Sequence, residues 1–217
     1  MALVMYDLDG TLFDTAPEIT QAVNQTLQEF GHESVTEEQV RDWIGHGTGW
    51  LMKTAWQNTQ GPMDAPWDKV MERFIIHYDA TAGTRSTAFP HVLETLQRTR
   101  AFGVKQAIVT NKERRFTERV LERHGLADAF DMIVCGDSLA VKKPDPGVID
   151  HCLSEMGASP GEALFIGDSE IDVSTARAAG VVCWAVPYGY NLGKPIAAAM
   201  PDRIVPDIRD VPHFFRH

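Results

Sequence analysis

The chain opens on an uninterrupted apolar run, ALVMY (residues 2–6), which stops at a polar turn, Asp7-Leu8-Asp9-Gly10-Thr11. A short run without alternation predicts a strand buried on both faces. From residue 15 to about residue 80 the period changes. Ile19, Val23, Leu27 and Phe30 recur at helical spacing behind Pro17, which suits a first helical turn, and Gly31 reads as the stop. Thr36-Glu37-Glu38-Gln39 has the spacing of a helix capping box ahead of Val40 and Trp43. A glycine-rich loop, IGHGTG (44–49), precedes the helical WLMKTAW (50–56), and WDKVMERFIIHY (67–78) is another amphipathic segment. No strand pattern interrupts this stretch.

From Phe89 onward the two periods alternate. PHVLETLQRTRAFG (90–103), KERRFTERVLERHG (112–125), PGVIDHCLSEMG (146–157) and EIDVSTARAAG (170–180) carry the helical one. VKQAIVTN (104–111), DMIVCGDS (131–138), EALFIGDS (162–169) and VVCWAVPYG (181–189) are strand-like, and RIVPDI (203–208) is a candidate last strand. Strands separated by helices predict a parallel sheet covered on both faces. The expected fold class is α/β. A Rossmann-like doubly wound parallel-sheet core takes residues 1–14 and 82–217, and an all-helical cap domain, residues 15–81, is inserted after the first strand.

Composition narrows the function classes. At 217 residues the chain can form a large core with a small satellite. Its apolar runs fall short of the ~20 residues of a membrane span. No basic region precedes an apolar signal stretch, so a cytoplasmic location is expected. Cys135, Cys152 and Cys183 are widely spaced, with no CxxC or Cys/His cluster, and read as buried reduced thiols. A formal charge of −10 argues against a nucleic-acid partner. It also requires that any anionic ligand be attracted by positive charge built locally.

In open parallel sheets ligands bind beyond the carboxyl ends of the strands. Four strands here end in polar residues: Asp7 and Asp9, Thr110 and Asn111, Gly136 and Asp137, Gly167 and Asp168. Lys142 and Lys143 stand before a proline-limited helix start, and Asp172 lies one helical turn past Asp168. One cleft could gather Asp7, Asp9, Thr110, Lys143, Asp168 and Asp172. Those four aspartates and one lysine sum to −3, and crowded carboxylates raise one another's pKa. A divalent cation lowers the sum to −1. Oxygen ligands without His or Cys suit a hard ion, Mg²⁺ above all.

Beside such an ion Asp7 can attack phosphorus and form an aspartyl-phosphate. Thr110, Asn111 and Lys143 offer donors and positive charge to the equatorial oxygens, and Gly10 lets the backbone approach the phosphate. Asp9 is placed to give a proton to a leaving alcohol and then to take one from water.

These residues resemble the four ordered motifs of the haloacid dehalogenase superfamily. Asp7-Leu8-Asp9-Gly10-Thr11 is similar to the first, Thr110 to the second, Lys143 before Pro144 to the third, and Gly167-Asp168 with Asp172 to the fourth. The resemblance implies metal ligation by Asp7 through its carboxylate, Asp9 through its backbone carbonyl, and Asp168, with Asp172 mostly behind them. The helical insert resembles the first cap type of that superfamily. DGTLFDTAPEITQAVNQTL, VRDWIGHGTGWLM and KKPDP together resemble the phosphoglycolate phosphatase group. The implied activity is Mg²⁺-dependent hydrolysis of a small phosphorylated metabolite by a monomer or homodimer, with no nucleic-acid or membrane partner.

Alternatives remain at this level. A β-phosphoglucomutase-like mutase shares the framework, although that group usually carries a His near the cap entrance and Thr15–Thr20 has none. Pyrophosphatase and nucleotidase relatives share it too, and a catalytically silent phosphoanion- or partner-binding protein is a third class. His46 reads either as a substrate contact or as a solvated loop residue, Lys53 as a surface residue, Trp43, Trp50 and Trp56 as core residues, and Arg114 and Arg115 as ordinary surface charges.

Overall fold

The structure, a computed structural model, describes residues 1–216. The first apolar run becomes β1 (Leu3–Tyr6), and all four of its residues are buried. It lies inside a six-stranded parallel sheet with β4 (Lys105–Val109), β5 (Met132–Val134), β6 (Ala163–Gly167), β7 (Val182–Ala185) and β8 (Arg203–Ile204). The order is β5-β4-β1-β6-β7-β8. Alternate residues go to opposite faces, as the strand period requires. Val4, Tyr6, Ile108 and Ile166 enter one apolar cluster, while Leu3, Met5, Val109 and Phe165 enter the other. Each large side chain so buried contributes ~1.5–3 kcal/mol.

Helices α5 (Val92–Ala101), α6 (Arg114–Arg123), α7 (Gly147–Met156) and α8 (Glu170–Ala178) connect the strands. Strand β1 is paired with β4 on one side and β6 on the other, so the chain reverses its winding direction there. A crevice opens at the carboxyl ends of those three strands.

Between β1 and α5 lie α1 (Ala16–Glu29), α2 (Glu37–Arg41), α3 (Thr48–Gln57) and α4 (Trp67–Thr81). They enclose a separate apolar cluster around Val23, Leu27, Met52, Trp56 and Phe74. Phe116 of α6 and Tyr190 reach into this cluster from the sheet side, and the Phe116 ring stacks on Tyr78 at 4.1 Å between centroids. The capping box of α2 forms as expected, with the Gln39 N–H donating to Thr36 Oγ1 at 3.2 Å.

Several features were not expected. A two-stranded antiparallel ribbon, β2 (Phe13–Asp14) with β3 (Thr87–Ala88), brackets the helical insert at both ends. Helix α3 begins two residues earlier than its apolar pattern, at Thr48. Trp50 is 42% exposed and packs against the His46 ring at a tilt, so it is not a core residue. A 3-10 stretch, Ile208–Phe215, follows β8 and packs on α5.

The three cysteines are buried and unpaired, and burial pushes the Cys152 thiol up to about 12. Among the described residues no helix is long and apolar enough to cross a membrane.

Candidate active site

The crevice collects the strand-end residues through backbone geometry. The Asp7 N–H donates to Ile166 O at 2.9 Å, so Asp7 continues the ladder of β1. The Thr110 N–H likewise donates to Val134 O at 2.9 Å. Gly10 then turns with φ +85°, and a Cβ at that position would collide with the Asp168 carboxylate. Only glycine combines that backbone angle with so close an approach. Asp168 closes β6, and Ser169 and Asp172 form the capping box that starts α8.

The carboxylates divide their labour. Asp168 Oδ1 accepts the Thr11 hydroxyl at 2.9 Å, and its Oδ2 accepts the Tyr190 N–H at 2.7 Å. Asp172 is saturated. Its Oδ2 accepts the Asp168 and Ser169 N–H groups and the Ser169 hydroxyl, and its Oδ1 accepts Lys143 Nζ at 2.7 Å. Lys143 Nζ also lies 2.9 Å from Asp7 Oδ1, but off the line of a hydrogen bond, so that buried oxygen has an ion-pair partner and no hydrogen bond. Burial disfavours the Lys143 ammonium, yet Asp172 and Asp7 outweigh it and hold its pKa above the usual lysine range.

Burial pushes Asp7 up to about 7 against the opposing pull of Lys143. Burial also holds Asp168 well above the usual carboxylate range, with the charges of Asp172 and Asp7 adding to the effect. Oxygen atoms of Asp7, Asp168 and Asp172 lie within 4.8 Å of one another. Two carboxylates costly to ionise, one carrying a buried oxygen without a hydrogen bond, fit a hard divalent cation. Asp7 and Asp168 have the free valence for it, whereas Asp172 has spent its own on Lys143 and the helix start.

Thr110 and Asn111 both line the cavity. Thr110 Oγ1 accepts the Lys112 N–H at 3.2 Å, leaving its own hydroxyl hydrogen free. Asn111 is differently employed. Its Nδ2 donates to Gly45 O of the insert and to Lys143 O, each at 2.9 Å, so its amide ties the glycine-rich loop to the lysine segment.

The residue that sequence reasoning missed is Lys112. Its side chain is 2% exposed, and Nζ donates to Asp9 Oδ1 at 2.8 Å and to the Tyr78 hydroxyl of α4. Burial works against this ammonium, but Asp9 and then Glu18 raise its pKa. The available signal was a lysine two residues past Thr110, on the same side of a strand end in an acidic cleft. Lys112 also corrects the charge count. Four aspartates and two lysines leave −2, which one divalent cation neutralises.

The insert closes over this cluster. Thr48 bonds Glu113, Lys142 Nζ donates to His46 O at 2.9 Å, and Arg115 pairs with Asp79. Arg114 and Arg115 are otherwise exposed, as expected for surface charges. Ile19, Ile44, Leu51 and Ile171 form the apolar wall of a cavity with about 40 Å³ open to water. At ~10–15 Å³ per water, that is room for about three.

The geometry has counterparts in known proteins. The model of the haloacid dehalogenase-like hydrolases matches residues 4–186. A phosphoglycolate phosphatase of Pseudomonas syringae pv. syringae is 40% identical over 95% of this chain and 77% of its own length. One from Thiobacillus denitrificans is 38% identical over 95% of this chain and 92% of its own. The crystal structure of a predicted phosphoglycolate phosphatase from Haemophilus somnus superposes with a TM-score of 0.95 at 29% identity, covering 100% of this chain and 98% of that one. The resemblance read from the four motifs thus extends over the whole length of the molecule, and this chain belongs to the haloacid dehalogenase-like hydrolase family.

Proposed function

We propose that this chain is a Mg²⁺-dependent phosphatase that hydrolyses a small phosphate monoester, 2-phosphoglycolate foremost, through an aspartyl-phosphate on Asp7. The chain is an enzyme of the phosphoric monoester hydrolase class, as its family and its named relatives indicate. The observation that carries the mechanism is the meeting of Asp7, Asp9, Thr110, Lys143 and Asp168 in one cavity.

In the proposed reaction an Asp7 carboxylate oxygen bonds to phosphorus while the bond from phosphorus to the ester oxygen breaks. Asp9 gives its proton to that leaving oxygen. It then takes a proton from the water that attacks phosphorus, which releases phosphate and restores the Asp7 carboxylate. Thr15 Oγ1 donates to Asp9 Oδ1 at 2.6 Å, and with Lys112 it fixes the direction of that carboxylate. The Lys143 ammonium and the Thr110 hydroxyl face the equatorial oxygens, where negative charge accumulates. A magnesium ion held by Asp7, Asp168 and the Asp9 carbonyl would neutralise charge between nucleophile and phosphate.

Residues 15–81 act as the cap over a core of residues 1–14 and 82–217. The small cavity and its apolar wall favour a short leaving alcohol over a hexose. Phosphate release from 2-phosphoglycolate, pyrophosphate, nucleoside monophosphates and hexose phosphates, with and without Mg²⁺, tests this reading. The expected result is metal-dependent release with the highest kcat/KM on 2-phosphoglycolate. Release independent of metal, or a preference for a large ester, would contradict it.

A further inference from the structure

Lys112 is unusual in being a buried ammonium outside the phosphate-facing set. Among the described residues that line the cavity, only Lys112 and Lys143 are cationic. Lys143 is committed to Asp7 and Asp172, at the end of the cavity where phosphorus would be attacked. Lys112 instead contacts Asp9, the residue assigned to the leaving oxygen, and Tyr78 of the insert. It therefore stands on the leaving-group side. The remaining surface there is largely the apolar wall of Ile19, Ile44 and Leu51. A charge facing such a wall interacts with an opposite charge more strongly than it would in water.

Charge bookkeeping points the same way. Four aspartates and two lysines sum to −2, which one divalent cation cancels, so a phosphate ester that also bears a carboxylate brings net negative charge to a cavity whose cationic lining residues are Lys143 and Lys112. In an ester whose leaving alcohol carries a carboxylate on the adjacent carbon, the ester oxygen lies against Asp9. The carboxylate then falls within a bond or two of a cation that sits 2.8 Å from Asp9 Oδ1.

We propose that Lys112 is the specificity-determining residue of this site, binding a carboxylate on the leaving group of the phosphate ester. This rests on the phosphatase reading above and deepens it: the substrate class becomes small phosphorylated hydroxy acids. The alternative is that Lys112 serves only to hold Asp9, in which case it affects every ester alike.

The test is calorimetric binding of two isosteric, non-hydrolysable ligands to the Mg²⁺-loaded full chain. One is 3-phosphonopropionate, which carries the carboxylate, and the other is propylphosphonate, which does not. The wild-type chain should bind the first roughly ten- to hundredfold more tightly, the size of one charged hydrogen bond. Lys112→Met should erase that ratio whatever it does to the affinity for both, and Lys112→Arg should restore part of it. Lys112→Gln replaces Lys112→Met if the latter does not unfold cooperatively.

Equal wild-type affinities, or a ratio that survives loss of the ammonium, would overturn the proposal. Turnover of 2-phosphoglycolate by the wild-type chain, measured alongside, separates the two claims. A carboxylate preference without turnover defeats the phosphatase reading alone, and turnover without the preference defeats the Lys112 assignment alone.

Discussion

Asp7 carries the proposed chemistry, and Asp7→Asn keeps its shape while removing the nucleophile. Steady-state kcat should fall by ~10³-fold or more, measured as phosphate release at saturating substrate. Its ionisation makes a second prediction. A carboxyl held at about 7 in the folded chain, against ~4 unfolded, binds a proton that the unfolded chain has already lost. Stability is therefore lost as pH rises toward 7 and past it, when the buried carboxylate ionises. A bound divalent cation relieves that cost, so Mg²⁺ should raise the unfolding midpoint more at about pH 8 than at about pH 6. Thermal scans showing an equal or reversed difference would count against Asp7 as a ligand. At this scale the sequence was legible where a polar residue ended an apolar run, as with Asp7, Thr110 and Asp168. It was hardly legible for Lys112, whose partners Asp9 and Tyr78 are remote in sequence and whose one local signal was its place two residues past Thr110.

Among the elements, the start of α1 shows how the site overrides local rules. Thr15 is the N-cap residue, yet its hydroxyl goes to Asp9 and makes no helix cap. The hydroxyl of Tyr190 serves instead. It accepts the Thr15 and Ala16 N–H groups at 2.9 and 3.1 Å and donates to Asp14 Oδ1 at 2.8 Å. Tyr190→Phe strands the buried Thr15 N–H, while the Ala16 N–H keeps Asp14 Oδ1 at 3.3 Å, and it should cost about 1–3 kcal/mol in urea unfolding. The helix capping box at Thr36 is purely local, and Thr36→Ala should cost ~1 kcal/mol. The contrast explains which elements could be read. The Thr36 box follows from four adjacent residues. The β2–β3 ribbon has two residues per strand, too few to show a period, and pairs segments more than seventy residues apart in sequence.

For the whole molecule, a parallel sheet places its strand ends together, and this made the cluster of Asp7, Thr110 and Asp168 foreseeable before any distance was known. The closure of the insert was not. It depends on contacts such as Asn111 with Gly45 and Arg115 with Asp79, which only the tertiary arrangement reveals. In the proposed reaction the acidic chain, at −10, would meet its anionic substrate through two buried lysines and a divalent cation between Asp7 and Asp168. The proposed reaction turns on one covalent event. The measurement that tests it most directly is mass spectrometry of the chain quenched in acid during turnover of 2-phosphoglycolate. One phosphoryl group should appear on the peptide carrying Asp7 when Mg²⁺ is present, and it should vanish with a chelator or in Asp7→Asn. Steady phosphate release with that peptide unmodified, or with the phosphoryl group on another residue, would contradict it.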